Sequence, residues 1–225
     1  MGNDLTLKFP TGPNRAVIEA LEENEILEGW VRHLEAGSAL QAETYRKEAG
    51  EQVEDGDALR EYYQGLDGQT WALDHLVNAH FPNLLRAAAF LAIWGAFERH
   101  LTELCREVAD ARSYQVTVND LRERGISGVR AYLVKVAGLD GPWARDHWQE
   151  LLGLQKIRHL FAHGDGRVSL NQEAQRVFVQ KNKHLELDGN SVLLSATFLQ
   201  YLVGLHRGFL QSLQQTIATA FGEDA

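Results

Sequence analysis

The chain has 225 residues, of which 44% are hydrophobic, and carries one cysteine and a formal charge of −9 at neutral pH. That length and apolar content support a proper core, either as one large helical domain or as a core domain with an elaborated end. The lone Cys105 excludes an intramolecular disulfide and points to the reducing cytosol, and the net acidity argues against a protein that grips nucleic acid over its whole surface.

The charge is unevenly spread. Residues 1–80 carry 16 acidic and 6 basic side chains, whereas residues 81–225 carry 15 and 16. A groove built from the later helices is therefore expected to be locally positive, with a modest and salt-dependent affinity for a phosphate backbone. The N-terminus, Met1 to Asn14, lacks a basic start followed by an apolar core. The longest apolar run, Ala87 to Phe97, falls short of the roughly 20 residues that a bilayer span needs. Neither a signal nor a membrane anchor is expected. Met1 to Thr6 fits the loose pattern for N-myristoylation, which is short enough to arise by chance.

In chain order, Pro13 suits a first helical position, and Val17, Leu21, Ile26, Trp30 and Leu34 recur at near-helical spacing, so a long acidic helix is predicted to start here. The stretch from Glu35 to Gln64 is poor in large apolar residues and contains Gly37, Gly50 and Gly56. It reads as marginal helix or mobile linker, which divides the chain into an N-terminal acidic helical extension (1–64) and a helical core (65–225). From Pro82 onward, Phe90, Trp94, Phe97, Leu101, Leu104 and Val108 form one apolar stripe and predict the central core helix. A shorter helix is expected over Val129 to Ala137. Pro142 opens another that includes Trp148, Leu151, Leu154, Ile157 and Phe161, ended by Gly164-Asp165-Gly166.

Val177 to Gln180, His184 to Leu187 and Val192 to Leu194 read as short strands, the last two joined at Asp188-Gly189-Asn190 as a small hairpin. Phe198, Leu202, Leu205, Phe209 and Leu213 mark a closing helix. The expected class is all-α: an up-and-down helical bundle with a small β-hairpin before the last helix.

The chemistry concentrates in Arg158-His159-Leu160-Phe161-Ala162-His163-Gly164. RNA carries a 2′-hydroxyl beside each phosphodiester, so one proton-transferring base and one cation suffice to cleave it without metal. Histidine titrates near working pH, and arginine presents a planar set of donors to phosphate oxygens. On an ideal helix, five residues turn through about 140° net, so Arg158 and His163 do not share one stripe. A two-fold partner supplying a second pair resolves that awkwardness.

This Arg-polar-x-x-x-His spacing, after an amphipathic helix and before glycine, resembles the signature of the HEPN superfamily (higher eukaryotes and prokaryotes nucleotide-binding). The resemblance covers roughly residues 82–215 and rests on Arg158, His159 and His163. Glu98, midway along the preceding core helix, is similar to an acidic residue that toxin-like members carry. The resemblance implies a HEPN-type bundle and a cytoplasmic homodimer. It also implies metal-independent endoribonuclease activity on an RNA substrate, leaving 2′,3′-cyclic phosphate and 5′-hydroxyl ends, in toxin-antitoxin or phage-defence systems with an antitoxin or defence partner. In such a site Arg158 stabilises the phosphorane and His163 transfers protons. Neighbourhood alone suggests Glu98 as an orienting residue, His159 as a phosphate-orienting one, and Lys156 and Arg167 as holders of flanking phosphates. No cofactor and no metal are required.

Other readings compete. The arginine and histidine are also what a helix C-terminus attracts through its dipole, which would make the chain a catalytically inactive HEPN-like dimeric scaffold or RNA-binding module. His159 and His163 have the spacing of paired metal ligands, with Asp165 near, but Leu160 stands where a metalloprotease glutamate would be. Ser169, His163 and Asp165 lack the strand-turn-helix setting of a hydrolase triad. Cys105 with His100 reads as core packing beside an exposed neighbour. Trp94 and Trp148 read as core, whereas Trp71 and Trp143 are candidates for lining a groove.

Overall fold

The computed structural model describes residues 11–48, 51–55, 58–144 and 146–222, so the Met1–Thr6 pattern, Gly50 and Gly56 lie outside the described residues. Helix α1 (Gly12–Glu48) begins where Pro13 predicts, since proline in a first turn gives up an N–H that has no helical partner there. It buries Ala16, Val17, Ala20, Val31 and Leu34, whereas Ile26 and Trp30, expected on the same stripe, are exposed. Gly37 sits inside the helix without interrupting it.

After α1 comes a three-stranded antiparallel sheet of β1 (Glu51–Asp55), β2 (Ala58–Tyr63) and β3 (Leu66–Asp67), where the sequence predicted marginal helix or linker. Tyr63 pairs with Leu66 across Gln64-Gly65, and both loop residues have positive φ, as a two-residue type I′ turn requires. The sheet is anchored by an apolar cluster in which Tyr45 and Tyr63 meet edge to face at 4.9 Å and pack with Leu73 and Val77.

Helix α2 runs from Leu73 to Arg112 and widens into a π turn at Leu76–His80. Pro82 explains the widening: it has no N–H for the Asn78 carbonyl, and its ring would strike that carbonyl in a regular helix. By length and apolar composition alone α2 is able to cross a membrane, a property that buried core helices share. Then follow α3 (Gly125–Ala131, continuing as a π turn over Tyr132–Val136), α4 (Asp146–Gly164), α5 (Glu173–Lys181), β4 (Leu185–Asp188), β5 (Ser191–Leu194) and α6 (Phe198–Phe221). Among the described residues the fold is mostly helical, with two small antiparallel sheets. The predicted strand at Val177 to Gln180 lies inside α5.

The chain packs as two units, one holding Met1–Leu27, Ala92–His159 and Tyr201–Ala225, the other Glu28–Leu91 and Leu160–Gln200. The boundary expected at residue 64 falls inside the second. In the first unit, Trp143, Trp148 and Phe209 form a mutual aromatic cluster, and the buried His206 stacks on Phe97 at 3.9 Å. In the second, Phe90 meets Phe161 and Phe198 edge to face. There Arg86 donates from Nε and Nη2 to the two carboxylate oxygens of Glu35 and from Nη1 to the Leu194 carbonyl. This forked geometry is what makes a partly buried arginine pair worthwhile.

Candidate functional site

Helix α4 forms because Trp148, Leu151, Leu154, Ile157 and Leu160 recur every three residues, close to the helical repeat, and are all buried, while Asp146 complements the dipole in its first turn. Arg158 follows Ile157 at the margin of that stripe and is half-buried, its side chain 31% exposed. Its Nη2 stands 3.9 Å from Oε2 of Glu98 on α2. Its Nε is buried without a hydrogen-bond partner. The first unit thus brings Arg158 and Glu98 together. A Cβ on Gly125 would lie 3.0 Å from the other oxygen of that carboxylate and 2.6 Å from Nε2 of Gln155; neither Gly125 nor Gln155 was among the predicted residues. Lys156 and His159 lie on exposed parts of α4.

His163 belongs to the second unit and is exposed in the last turn of α4. The helix stops at Gly164-Asp165-Gly166 as the sequence predicts, with Gly164 itself still helical. The left-handed conformation is taken by Asp165 (φ 51°) and Gly166 (φ 73°). The Gly166 N–H donates to the Leu160 carbonyl at 3.2 Å, and the Arg167 N–H to the Gly164 carbonyl at 2.9 Å. A Cβ on Gly166 would lie 2.5 Å from the Phe161 ring, so both its φ and its bareness are needed. Beyond it, Arg167 bridges to Ser191, and the Val168 N–H donates to the Asn190 carbonyl at 2.8 Å. Arg176 secures this turn by donating to the Asn190 side-chain oxygen at 2.7 Å and the Val168 carbonyl at 3.3 Å. The β4–β5 hairpin therefore fixes the backbone that follows His163, while the Arg167 residue itself is exposed.

The remaining candidates separate. Cys105 is buried, which pushes its thiol up to about 12, and His100 is committed to Glu23 at 2.5 Å. Burial alone would raise the Glu23 carboxyl, but hydrogen bonds from Arg99 and His100 bring it below its ordinary value. Burial pushes His206 down to about 3, and its Nε2 has no partner. Trp143 is buried in the aromatic cluster, whereas Trp71 is exposed. Among the described residues no group of three or more His, Cys, Asp or Glu side chains gathers to hold a metal ion.

Comparison of the chain with family models, with curated proteins and with solved structures finds no match.

Proposed function

We propose that this chain is a metal-independent endoribonuclease of HEPN type, an up-and-down helical bundle that works as a cytoplasmic homodimer in a toxin or phage-defence role. The observation that carries the reading is α4, which bears a half-buried arginine loosely tethered to a carboxylate and, five residues on, an exposed histidine in its last turn. A contact of 3.9 Å is beyond ordinary hydrogen-bond length, so the Arg158 guanidinium keeps donors for a phosphate.

In this reading the His163 imidazole takes the proton of the 2′-hydroxyl, and the 2′-oxygen attacks the adjacent phosphorus. Arg158 stabilises the phosphorane, and the 5′-oxygen leaves with a proton, so the products are a 2′,3′-cyclic phosphate and a 5′-hydroxyl. The partner copy's equivalent pair supplies the second proton-transferring group. Glu98 orients Arg158, and His159, Lys156 and Arg167 steady flanking phosphates.

A second reading takes the Arg158–Glu98 pair as a purely structural tie in an inactive scaffold or RNA-binding module, since a half-buried ion pair also holds helices together. Incubation of the wild type, Arg158→Ala and His163→Ala with total cellular RNA in excess chelator separates the two. The ribonuclease reading expects cleavage by the wild type alone, with both variants folded and dimeric. An inert wild type, with variants that unfold or become monomeric, supports the scaffold.

A further inference from the structure

We propose that Gln155 and Gly125 are positioning residues for Arg158, acting together with Glu98. This rests on the reading of Arg158 as the phosphate-facing cation. The observation is a convergence of three segments within one unit. A Cβ built on Gly125 would lie 2.6 Å from Nε2 of Gln155 and 3.0 Å from Oε1 of Glu98. The amide on α4 and the carboxylate on α2 therefore approach one point, and the room they share is the space of the side chain that Gly125 lacks.

The other oxygen of Glu98, Oε2, faces Arg158 Nη2 at 3.9 Å. Gln155 stands three residues before Arg158 on α4, which places the two on neighbouring positions of one helix face. A glutamine amide offers both an NH2 that donates to a carboxylate and an oxygen that accepts from a guanidinium. Arg158 Nε is buried and unpartnered and Nη2 stands 3.9 Å from one carboxylate, so the side chain is held in place while its donors stay available. That is a suitable resting arrangement for a cation that must turn its donors to an arriving phosphate and return. Glu98 and Gln155 limit where the guanidinium can go, and Gly125 sets how close they stand.

Gly125 also has φ +59°, in the left-handed region. A glycine needed only for its φ would tolerate asparagine, which enters that region more readily than other side chains. A glycine needed for its emptiness would not. Gly125→Asn separates these two roles.

The test uses the full chain labelled for arginine Nε–Hε NMR, with the Arg158 signal assigned by its loss in Arg158→Lys. In the wild type that signal is expected to report an ordered side chain. Gln155→Ala and Gly125→Asn are each expected to render it mobile while helicity and thermal midpoint stay put. Single-turnover RNA cleavage is expected to fall about tenfold or more at unchanged KM, as misplaced catalytic groups do. If Gly125→Asn fails to fold, Gln155→Ala decides alone, because alanine is well tolerated in a helix. An Arg158 signal equally ordered in the wild type and both variants overturns the proposal. A signal loosened in the variants of a protein that cleaves no RNA supports the positioning role and counts against the ribonuclease reading instead.

Discussion

Arg158 faces a side chain, Glu98 at 3.9 Å, and the space at the bare Gly125 is shared by that carboxylate and Gln155. The backbone that follows His163 is fixed by the left-handed Asp165 and Gly166, the Leu160 carbonyl, and a hairpin clamped by Arg176. The difference follows from what each residue has to offer. An arginine has five donors on a long, flexible stem, so its direction has to be imposed by neighbouring groups. A histidine has a short side chain, so fixing the turn beneath it goes far toward fixing the ring. One local stretch of sequence can supply the second kind of support, whereas the first has to be gathered from distant segments.

The largest expected effect removes the two groups themselves. Arg158→Ala and His163→Ala should each lower RNA cleavage by about 10³-fold, with circular dichroism and oligomeric state unchanged. Comparable activity in either variant would break the comparison at its root. Next comes the turn. Gly166→Ala forces a side chain into the left-handed region and against Phe161, and should cost about 1–2 kcal/mol of stability as well as slowing cleavage. Denaturant unfolding and single-turnover rates would read both, and a neutral result would show that the histidine does not depend on its backbone.

A smaller effect concerns pH. Burial holds the folded pKa of His206 at about 3, below its ordinary 6.5, so between those values the unfolded chain binds the extra proton. The stability this contributes is fully present above about pH 6.5 and is lost as pH falls toward 3. Replacing His206 by Phe, which keeps the stack on Phe97, should flatten that part of the stability-pH curve. Parallel curves would show that His206 is not buried neutral in this unit. Smallest of all, Lys156→Ala should weaken RNA binding across sequences and reduce the salt slope by about one, with cleavage products unchanged.

Periodicity carried much of the fold. The apolar stripe from Phe90 to Val108, the run from Trp148 to Ile157 and the closing helix from Phe198 are long enough for the helical repeat to dominate. The β4–β5 hairpin was legible because Gly189-Asn190 separates two short apolar runs. Segment β1–β3 was not legible. Its strands are charged, with Glu51, Glu54 and Asp55 in five residues, and its turn uses Gln64-Gly65 in place of the commoner Asn-Gly or Asp-Gly.

Val177-Phe178-Val179 has β-branched residues and so reads as strand, yet it lies in the helix where Val179 is buried and Arg176 reaches the Val168 and Asn190 oxygens. Packing overrode propensity there. The same limit governs the site. Arg158 and His163 stand out by spacing along one helix, whereas Glu98 lies on another and has no fixed spacing to them. Gly125 and Gln155 gain meaning only when the first residue of α3 and two other helices are brought to one point, which no local pattern encodes.

The most direct test of the central claim is single-turnover cleavage, in excess chelator, of a short RNA carrying a mapped cleavage site beside its twin with 2′-deoxy at the scissile nucleotide. The all-ribose strand is expected to be cut to a 2′,3′-cyclic phosphate, and the deoxy twin to be left intact while still binding. Cutting of both strands at similar rates, or no cutting of any RNA by the folded wild type, would contradict that claim.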